Sequence, residues 1–538
     1  MLGNPAAHPP ARAPERSDRI KGRVRSLGAA VGHALGMLDP RRGTAFVLTL
    51  ALSLACGVQA CSSSLPVPDT TRASSTSTSG LVWGMGGAGG GDSASGSGGV
   101  TATGTGGGLS AECLAPPAGG VAVDSGFALQ SATAFGAATD GIGPGSLAFD
   151  ADGNNVVRGG LVGALDLGSG VTLDSPGAYV AYLAKVSPTG QALWARKLPF
   201  FADHVFADAS GSIWVNGDTN ERAVKRYDAA GNEVWSKQFK TLGPIRVVPS
   251  GDGSAILADV FFDPISYGTG TIETSPGVAG DAFMMKVDAL GAVLWGKTLG
   301  AQLWPALTPA DEVRSITMHD AAAAPGGGMV LLVRTHAHTE GSHLVLLRVD
   351  GSGNLVWKRS FADIGVHDHP LIAVDAAGNS LISLTLDAEG GGGDLGCGML
   401  PYGVMLAMTD PDGKALWTRN YPTLNGNPQP SFDPSGNVVL AGEFTDPIDL
   451  GGGVLPSGGN AGVARIAVAK LSPSGAYLAS RAFGASIADT DRTSVTDART
   501  NAAGELVMSL SHQGPLDLGG GPLPDAPTPL GVVARFTP

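Results

Sequence analysis

Twelve short turns of one design punctuate this chain from residue 150 to the C-terminus: Asp, Ser or Asn first, then Pro, Ala or Gly, any residue, and Gly. The chemistry of each position dictates a reversal. A short polar side chain bonds the backbone two residues on, Pro presets φ, and the last Gly accepts a positive φ. The turns come in pairs. One kind opens into a strand, as at Asp150-Ala-Asp-Gly153, Asp375-Ala-Ala-Gly378 and Asp433-Pro-Ser-Gly436. The other lies four residues before a Trp, as in Ser187-Pro-Thr-Gly190 before Trp194 and Asp410-Pro-Asp-Gly413 before Trp417.

Between the turns lie four strand-like pieces per unit. In the first unit these are Ser146–Phe149, Asn154–Arg158, Tyr179–Val186 and Ala192–Leu198, with Asp166-Leu-Gly168 in the middle connection. The Trp returns as Trp235, Trp295, Trp357 and Trp417, and becomes Ala479 in the sixth unit. The Asp-Leu-Gly piece returns at Asp394, Asp449 and Asp517. Units of four antiparallel strands, begun near residues 146, 203, 244, 314, 370, 430 and 494, predict an all-β, seven-bladed β-propeller. The last unit stops after its third strand, Gly531–Phe536. Phe127–Gly136 resembles the fourth strand Tyr477–Gly484. The N-terminal strand is therefore expected to complete the last blade and remove an open edge.

The pattern Asp-x-x-Gly-Asn, Asp-Leu-Gly and Ala-Lys followed by turn and Trp resembles the bacterial β-propeller repeat of secreted proteins and lipoproteins. That resemblance covers nearly everything after residue 125 and implies architecture and an extracytoplasmic setting. Asp410-Pro-Asp-Gly-Lys-Ala-Leu-Trp417 is similar to the Trp motif of quinoprotein and outer-membrane-assembly propellers.

The N-terminal part divides by composition. Residues 1–36 are a basic extension that suggests a start codon further on, at Met37. Residues 37–61 read as a signal peptide, with Arg41 and Arg42 before an apolar run too short to span a bilayer. Val58-Gln-Ala-Cys61 resembles the bacterial lipobox, with Cys56 as the competing lipidation site. Residues 62–120 form a Ser/Thr/Gly tether with too little apolar surface to fold, and 121–538 the propeller. The implied setting is the outer membrane or cell surface of a Gram-negative-type bacterium, reached through a lipid anchor.

A net charge of −13 argues against nucleic acid as a partner. Cys113 and Cys397 are the cysteines left after the signal. Their pairing is disfavoured here, because Cys113 should enter from the tight-turn face and Cys397 lies in a connection on the opposite face.

The tight turns occupy one face of such a ring, and the longer connections the other, where a rigid scaffold usually carries function. On that face His336, His338, His367 and His369 form the one chemical cluster. Imidazoles so placed suit a transition metal, with solvated loop histidines as the plainer reading; no other cofactor is indicated. The Asp-rich turns supply two carboxylates each, where calcium needs six or more oxygens. Trp304 is the candidate stacking aromatic outside the repeat. No nucleophile elbow, phosphate loop or His-Glu-x-x-His motif is present, so no catalytic residue is assigned. The expected function is a monomeric, non-catalytic binding scaffold for a protein or glycan. The alternatives are a quinoprotein-like oxidoreductase, a metal-dependent hydrolase or an outer-membrane assembly scaffold.

Overall fold

The computed structural model describes Cys113 and residues 126–537, apart from 136–143, 219–221, 242, 269, 305–313, 338–340, 363, 365, 367–368, 387–391, 458–463, 485–491 and 524–525. The 1–36, 37–61 and 62–120 segments otherwise lie outside the described residues, as do Cys56 and Cys61.

Each turn folds as its residues dictate. Asp150 accepts the backbone N–H of Asp152 at 3.0 Å and of Asn154 at 2.9 Å, and Gly153 sits at φ 75°. Asp228, Asp375, Asp433 and Asn501 repeat the bonds. The Asp-Leu-Gly piece works the same way: Asp394 accepts from Gly396 and Gly398 at 2.7 and 2.9 Å. These carboxylates are occupied by backbone amides, which accounts for their spacing without calcium.

The strands so divided run in chain order. Strand β1 is Ala128–Phe135. A first quartet holds β2 (Pro144–Phe149), β3 (Asn155–Asp166), β4 (Thr172–Val186) and β5 (Ala192–Leu198). A second holds β6 (Phe201–Ala207), β7 (Ile213–Asp218), β8 (Arg222–Tyr227) and β9 (Glu233–Phe239). The third holds β10 (Arg246–Pro249), β11 (Ala255–Phe261), β14 (Val278–Val287) and β15 (Val293–Thr298), with a small hairpin of β12 (Ile265–Ser266) and β13 (Thr271–Ile272) in its middle connection. After helix α1 (Gly300–Leu303) comes a fourth: β16 (Arg314–Ala324), β17 (Gly328–Ala337), β18 (Gly341–Val349) and β19 (Leu355–Ala362). The fifth is β20 (Leu371–Val374), β21 (Ser380–Leu386), β22 (Gly403–Thr409) and β23 (Ala415–Tyr421). The sixth is β24 (Leu424–Phe432), β25 (Val438–Phe444), β28 (Arg465–Leu471) and β29 (Tyr477–Phe483), with the hairpin β26 (Ile448–Asp449) and β27 (Val454–Leu455). Last come β30 (Arg492–Thr500), β31 (Leu506–Gly514) and β32 (Ala526–Thr537).

The protein is all-β, and its mostly antiparallel four-stranded sheets stand in a propeller arrangement. First strands touch in a closed cycle: β2, β6, β10, β16, β20, β24, β30 and back to β2. The N-terminal strand joins the end of the chain, in the order β1-β32-β31-β30, with Phe135 opposite Gly531 and Ala128 opposite Thr537. One expectation needs correcting. Seven separate four-stranded sheets do not form: among the described residues five stand alone, and the third and fourth quartets share one eight-stranded sheet. A short parallel pairing of β14 with β16, Val278 to Arg314 and Gly280 to Ser315, joins them. The extended start of β14 runs alongside the entry to β16, so the free backbone groups of both find partners.

The core lies between neighbouring sheets. Every residue of β11 is buried. Alternation sends Ile256, Ala258 and Val260 toward the fourth quartet and Ala255, Leu257 and Phe261 toward the second. Middle strands therefore read as unbroken apolar runs although every pairing inside a quartet is antiparallel.

The Trp series joins sheet to sheet. Trp194, Trp235, Trp295, Trp357 and Trp417 each donate the indole N–H to a carbonyl in the next quartet's second turn, at 3.2, 3.2, 3.2, 2.8 and 2.9 Å. The turn's Gly lies on the indole: a Cβ at Gly413 would come 2.6 Å from the Trp357 ring. In four of these joints an Arg or Lys two residues after the Trp sits over its ring, Arg419 at 5.2 Å from Trp417. Ala479 replaces Trp because the next sheet has no second turn; there β32 ends and β1 begins, and Arg481 bonds the Phe127 carbonyl instead. At the following joint Thr133 of β1 donates to Gly190 O at 3.2 Å.

The second correction concerns the cysteines. Cys113 and Cys397 form a disulfide, with Cα atoms 5.6 Å apart. The two-face argument failed because it treated the entry point as fixed at β1. Thirteen residues lie between Cys113 and Phe127, and the fourteen Cα-to-Cα steps span up to about 46 Å when extended, enough to pass from one face to the other.

Candidate functional site: the central channel and its mouth

The first strands enclose a cavity of about 1100 Å³. Its wall is irregular in a regular place. Bulges interrupt β2, β6, β16, β24 and β30 between Pro144 and Ser146, Ala202 and His204, Met318 and Asp320, Asn425 and Gln429, and Val495 and Asp497. A bulge turns the strand and re-aims its side chains. The next residue then reaches the free edge of a neighbouring first strand. Asp497 accepts the N–H of Leu147 at 2.8 Å, Ser146 that of Val205 at 3.1 Å, and Asp320 that of Ile372 at 3.0 Å. Arg246 does the converse, donating its Nε to the His319 carbonyl at 3.1 Å. These bonds satisfy edge groups that would otherwise be buried unpaired.

Basic groups follow one another around the wall: Arg499, Arg158, His204, Arg246, His319 and His369, from six consecutive quartets. Asp203, Asp259, Asp320 and Asp497 are interleaved with them. Burial holds His204 neutral, with Arg246 adding to the effect, and its pKa falls to about 4. Burial likewise lowers His319 to about 4, helped by Arg334, His369 and Arg246. Burial raises the carboxyls of Asp259 and Asp320 above their ordinary value, with Arg246 pulling each partly back. Asp497 holds Arg499 charged, bonding its Nε at 3.1 Å.

Of the four histidines singled out from sequence, His338 and His367 lie outside the described residues. His336 bonds Ser342 Oγ through Nδ1 at 2.6 Å, across the β17–β18 pair. His369 is exposed at the channel, its ring 6.2 Å from that of His319. Among the described residues no group of three or more His, Cys, Asp or Glu converges on a metal position. Trp304 is partly buried against the core, with the Arg314 guanidinium 5.5 Å from its ring, and is not a free stacking surface.

Other aromatics take that place. Phe201 stacks on Tyr179 at 5.3 Å and is 60% exposed; Phe262 is 48% exposed and reaches the channel. Met399, Tyr402 and Val454 are exposed in the long connections of the fifth and sixth quartets. Among the described residues the tight turns expose only one large apolar side chain, Leu290. The rest of the exposed aliphatics, such as Leu193 and Val356, lie on outermost strands. Phe201 and Phe262 were missed because each stands beside a second, buried Phe in a run that reads as core. Their position was the available signal: Phe201 opens the first strand β6 and Phe262 lies just past the middle strand β11.

No protein-family model matches the chain, and no curated protein matches it. Solved structures do. A Dos1 propeller is 12% identical and covers 76% of this chain and 95% of its own, with a TM-score of 0.36. BamB from Moraxella catarrhalis is 12% identical over 76% of this chain and 99% of its own, at 0.34. A protein of unknown function from Bacteroides caccae is 13% identical over 56% of this chain and 89% of its own, at 0.30. At such scores the fold rests on the sheet order and closed cycle described above.

Proposed function

We propose that this chain is an exported, lipid-anchored, non-catalytic propeller of seven blades that binds a glycan or protein on its long-connection face. The third and fourth quartets count as two blades hydrogen-bonded side by side, since each keeps its own four-stranded order. The observation that carries the binding reading is the unequal exposure of the two faces. The Tyr179–Phe201 stack and Phe262 offer flat apolar surface beside the channel mouth, and among the described residues the opposite face offers almost none. The Cys113–Cys397 bond supports export, because such bonds persist in oxidising compartments.

Two measurements test the reading. A glycan array probed with the full chain is expected to give binding that Phe201→Ser with Phe262→Ser abolishes and Leu290→Ser leaves intact. Equal loss in both variants, or none in either, overturns the face assignment. Radiolabelled palmitate should enter the wild type and be lost in Cys61→Ala; persistence of label in that variant moves the anchor elsewhere.

A further inference from the structure

Charge is shared unevenly over this chain. Its net charge is −13, yet the outermost strands β5, β9, β15, β19, β23 and β29 together carry eight Lys or Arg and one acid, Glu233. Among the described residues none of the eight forms an ion pair. Their hydrogen bonds go to carbonyl or amide oxygens instead, as from Arg419 to Gly475 O at 3.2 Å and from Lys297 to Asn354 Oδ1 at 2.6 Å. Charge on an edge strand hinders pairing with a second copy, and either sign would serve that purpose. A single sign, opposite to that of the chain, does more. It repels another such edge and attracts an acidic one.

Strand β5 concentrates the pattern. Leu193, Arg196 and Lys197 are exposed within its seven residues, which include no acid. Arg196 Nη1 bonds Ala195 O at 3.0 Å and Lys197 Nζ bonds Asp174 O, so neither charge meets a carboxylate. Among the described residues β5 pairs with β4 alone, and its outer N–H and C=O groups have no strand partner. The other strand with paired cations, β19, differs on this point. Helix α1 takes its groups: Gln302 Oε1 accepts the Leu355 N–H at 2.6 Å, and the Leu303 carbonyl accepts from Lys358 at 2.6 Å. The joint beside β5 is also unlike the rest. Gly231, Gly291, Gly353, Gly413 and Gly475 each lie on a Trp ring, whereas Gly190 faces Thr133 and Ser131. Leu193 points away from Trp194, toward that joint, and remains 45% exposed.

We propose that the outer edge of β5 takes an extended acidic peptide as a fifth strand, with carboxylates on Arg196 and Lys197 and an apolar side chain against Leu193. Main-chain bonds along an open edge supply affinity, and the side chains of alternate faces supply selectivity. Opposite charges facing each other across two strands stabilise the pair, and like charges destabilise it. An anionic polysaccharide or lipid surface answers the cations but leaves the backbone edge unpaired. This edge is separate from the long-connection face and its aromatics.

The test is fluorescence anisotropy of a labelled peptide, Ser-Glu-Glu-Val-Thr-Val-Ser, titrated with the full chain. Antiparallel to β5, its Glu residues stand opposite Lys197 and Arg196 and its second Val opposite Leu193. It should bind about tenfold more tightly than the peptide with Lys in place of both Glu, and most of that preference should vanish in about 0.5 M salt. Arg196→Gln with Lys197→Gln should remove the preference, Leu193→Ser should weaken binding several-fold, and Phe201→Ser should not change it. Hydrogen exchange of the wild type locates the peptide without any variant: residues 192–198 should gain protection and 355–362 should not. Equal binding of the two peptides overturns the proposal, as does a lack of protection at 192–198. So does a preference that survives the double variant at an unchanged melting temperature. Dextran sulfate and phosphatidylglycerol vesicles are the competing anions. If either binds a Cys61→Ala chain more tightly than the acidic peptide does, the cations serve a polysaccharide or a membrane and the peptide reading fails.

Discussion

Two concentric sets of joints hold the sheets together, and they differ in kind. The outer set repeats one device five times: an indole N–H on the next turn's carbonyl, with that turn's Gly on the ring. The inner set varies: Ser146 accepts from Val205, Arg246 donates to the His319 carbonyl, and Asp320 and Asp497 accept from Ile372 and Leu147, all on the channel wall. Repetition marks what any such ring needs. Variation at equivalent positions marks what belongs to this chain alone, and it lies on the wall of the cavity.

The largest expected effect is on the outer set. Trp417 is fully buried and bonded to Pro473 O, so Trp417→Ala should cost about 3–5 kcal/mol, read by chemical denaturation. A loss below about 1 kcal/mol would break the claim that the docks carry the ring. The inner set should respond less and depend on pH. The neutral state of His319 is favoured in the fold, since its pKa of about 4 lies below the ordinary histidine value. Its contribution is present above about pH 6.5 and is lost as pH falls toward the folded value, on the order of 1–3 kcal/mol. Melting temperatures between pH 7 and 4 should therefore fall less steeply for His319→Gln than for wild type. Parallel slopes would mean that the inner ring is insensitive to this group. The smallest effect belongs to the closing joint, where Thr133→Val removes a part-buried bond to Gly190 O and should cost about 0.5–1.5 kcal/mol.

The same contrast explains what could be read from sequence. Turn, Trp and Asp-Leu-Gly are visible because each answers one local demand over and over. Even the absent Trp at Ala479 is informative, since it marks the sheet that precedes the chain ends. The inner wall escaped because Ser146 and Asp497 share a position but not a residue type, and their partners Val205 and Leu147 are more than fifty residues away. The β14–β16 pairing is equally silent, since parallel contact between two quartets leaves no alternation of its own. The disulfide was misjudged for a related reason: a face assignment ignores how far a dozen unpatterned residues can travel. Histidine spacing singled out loop positions, yet His319, whose ring nitrogens have no partner among the described residues, lies on a bulge of β16.

That disulfide has a consequence for how the ring survives opening. Strand β1 is held in the last sheet by backbone hydrogen bonds and by the packing of Leu129, Ala132 and Phe135, none of them covalent. Were it to peel away, its N-terminal side would still be fastened to the fifth quartet through Cys113. The strand then returns to its slot from a local concentration of about millimolar, the usual range for a short link. A neighbouring molecule offering its own β1 at micromolar levels competes poorly against that. The covalent bond thus acts against strand exchange between copies, the failure to which a ring closed by its own terminus is most exposed.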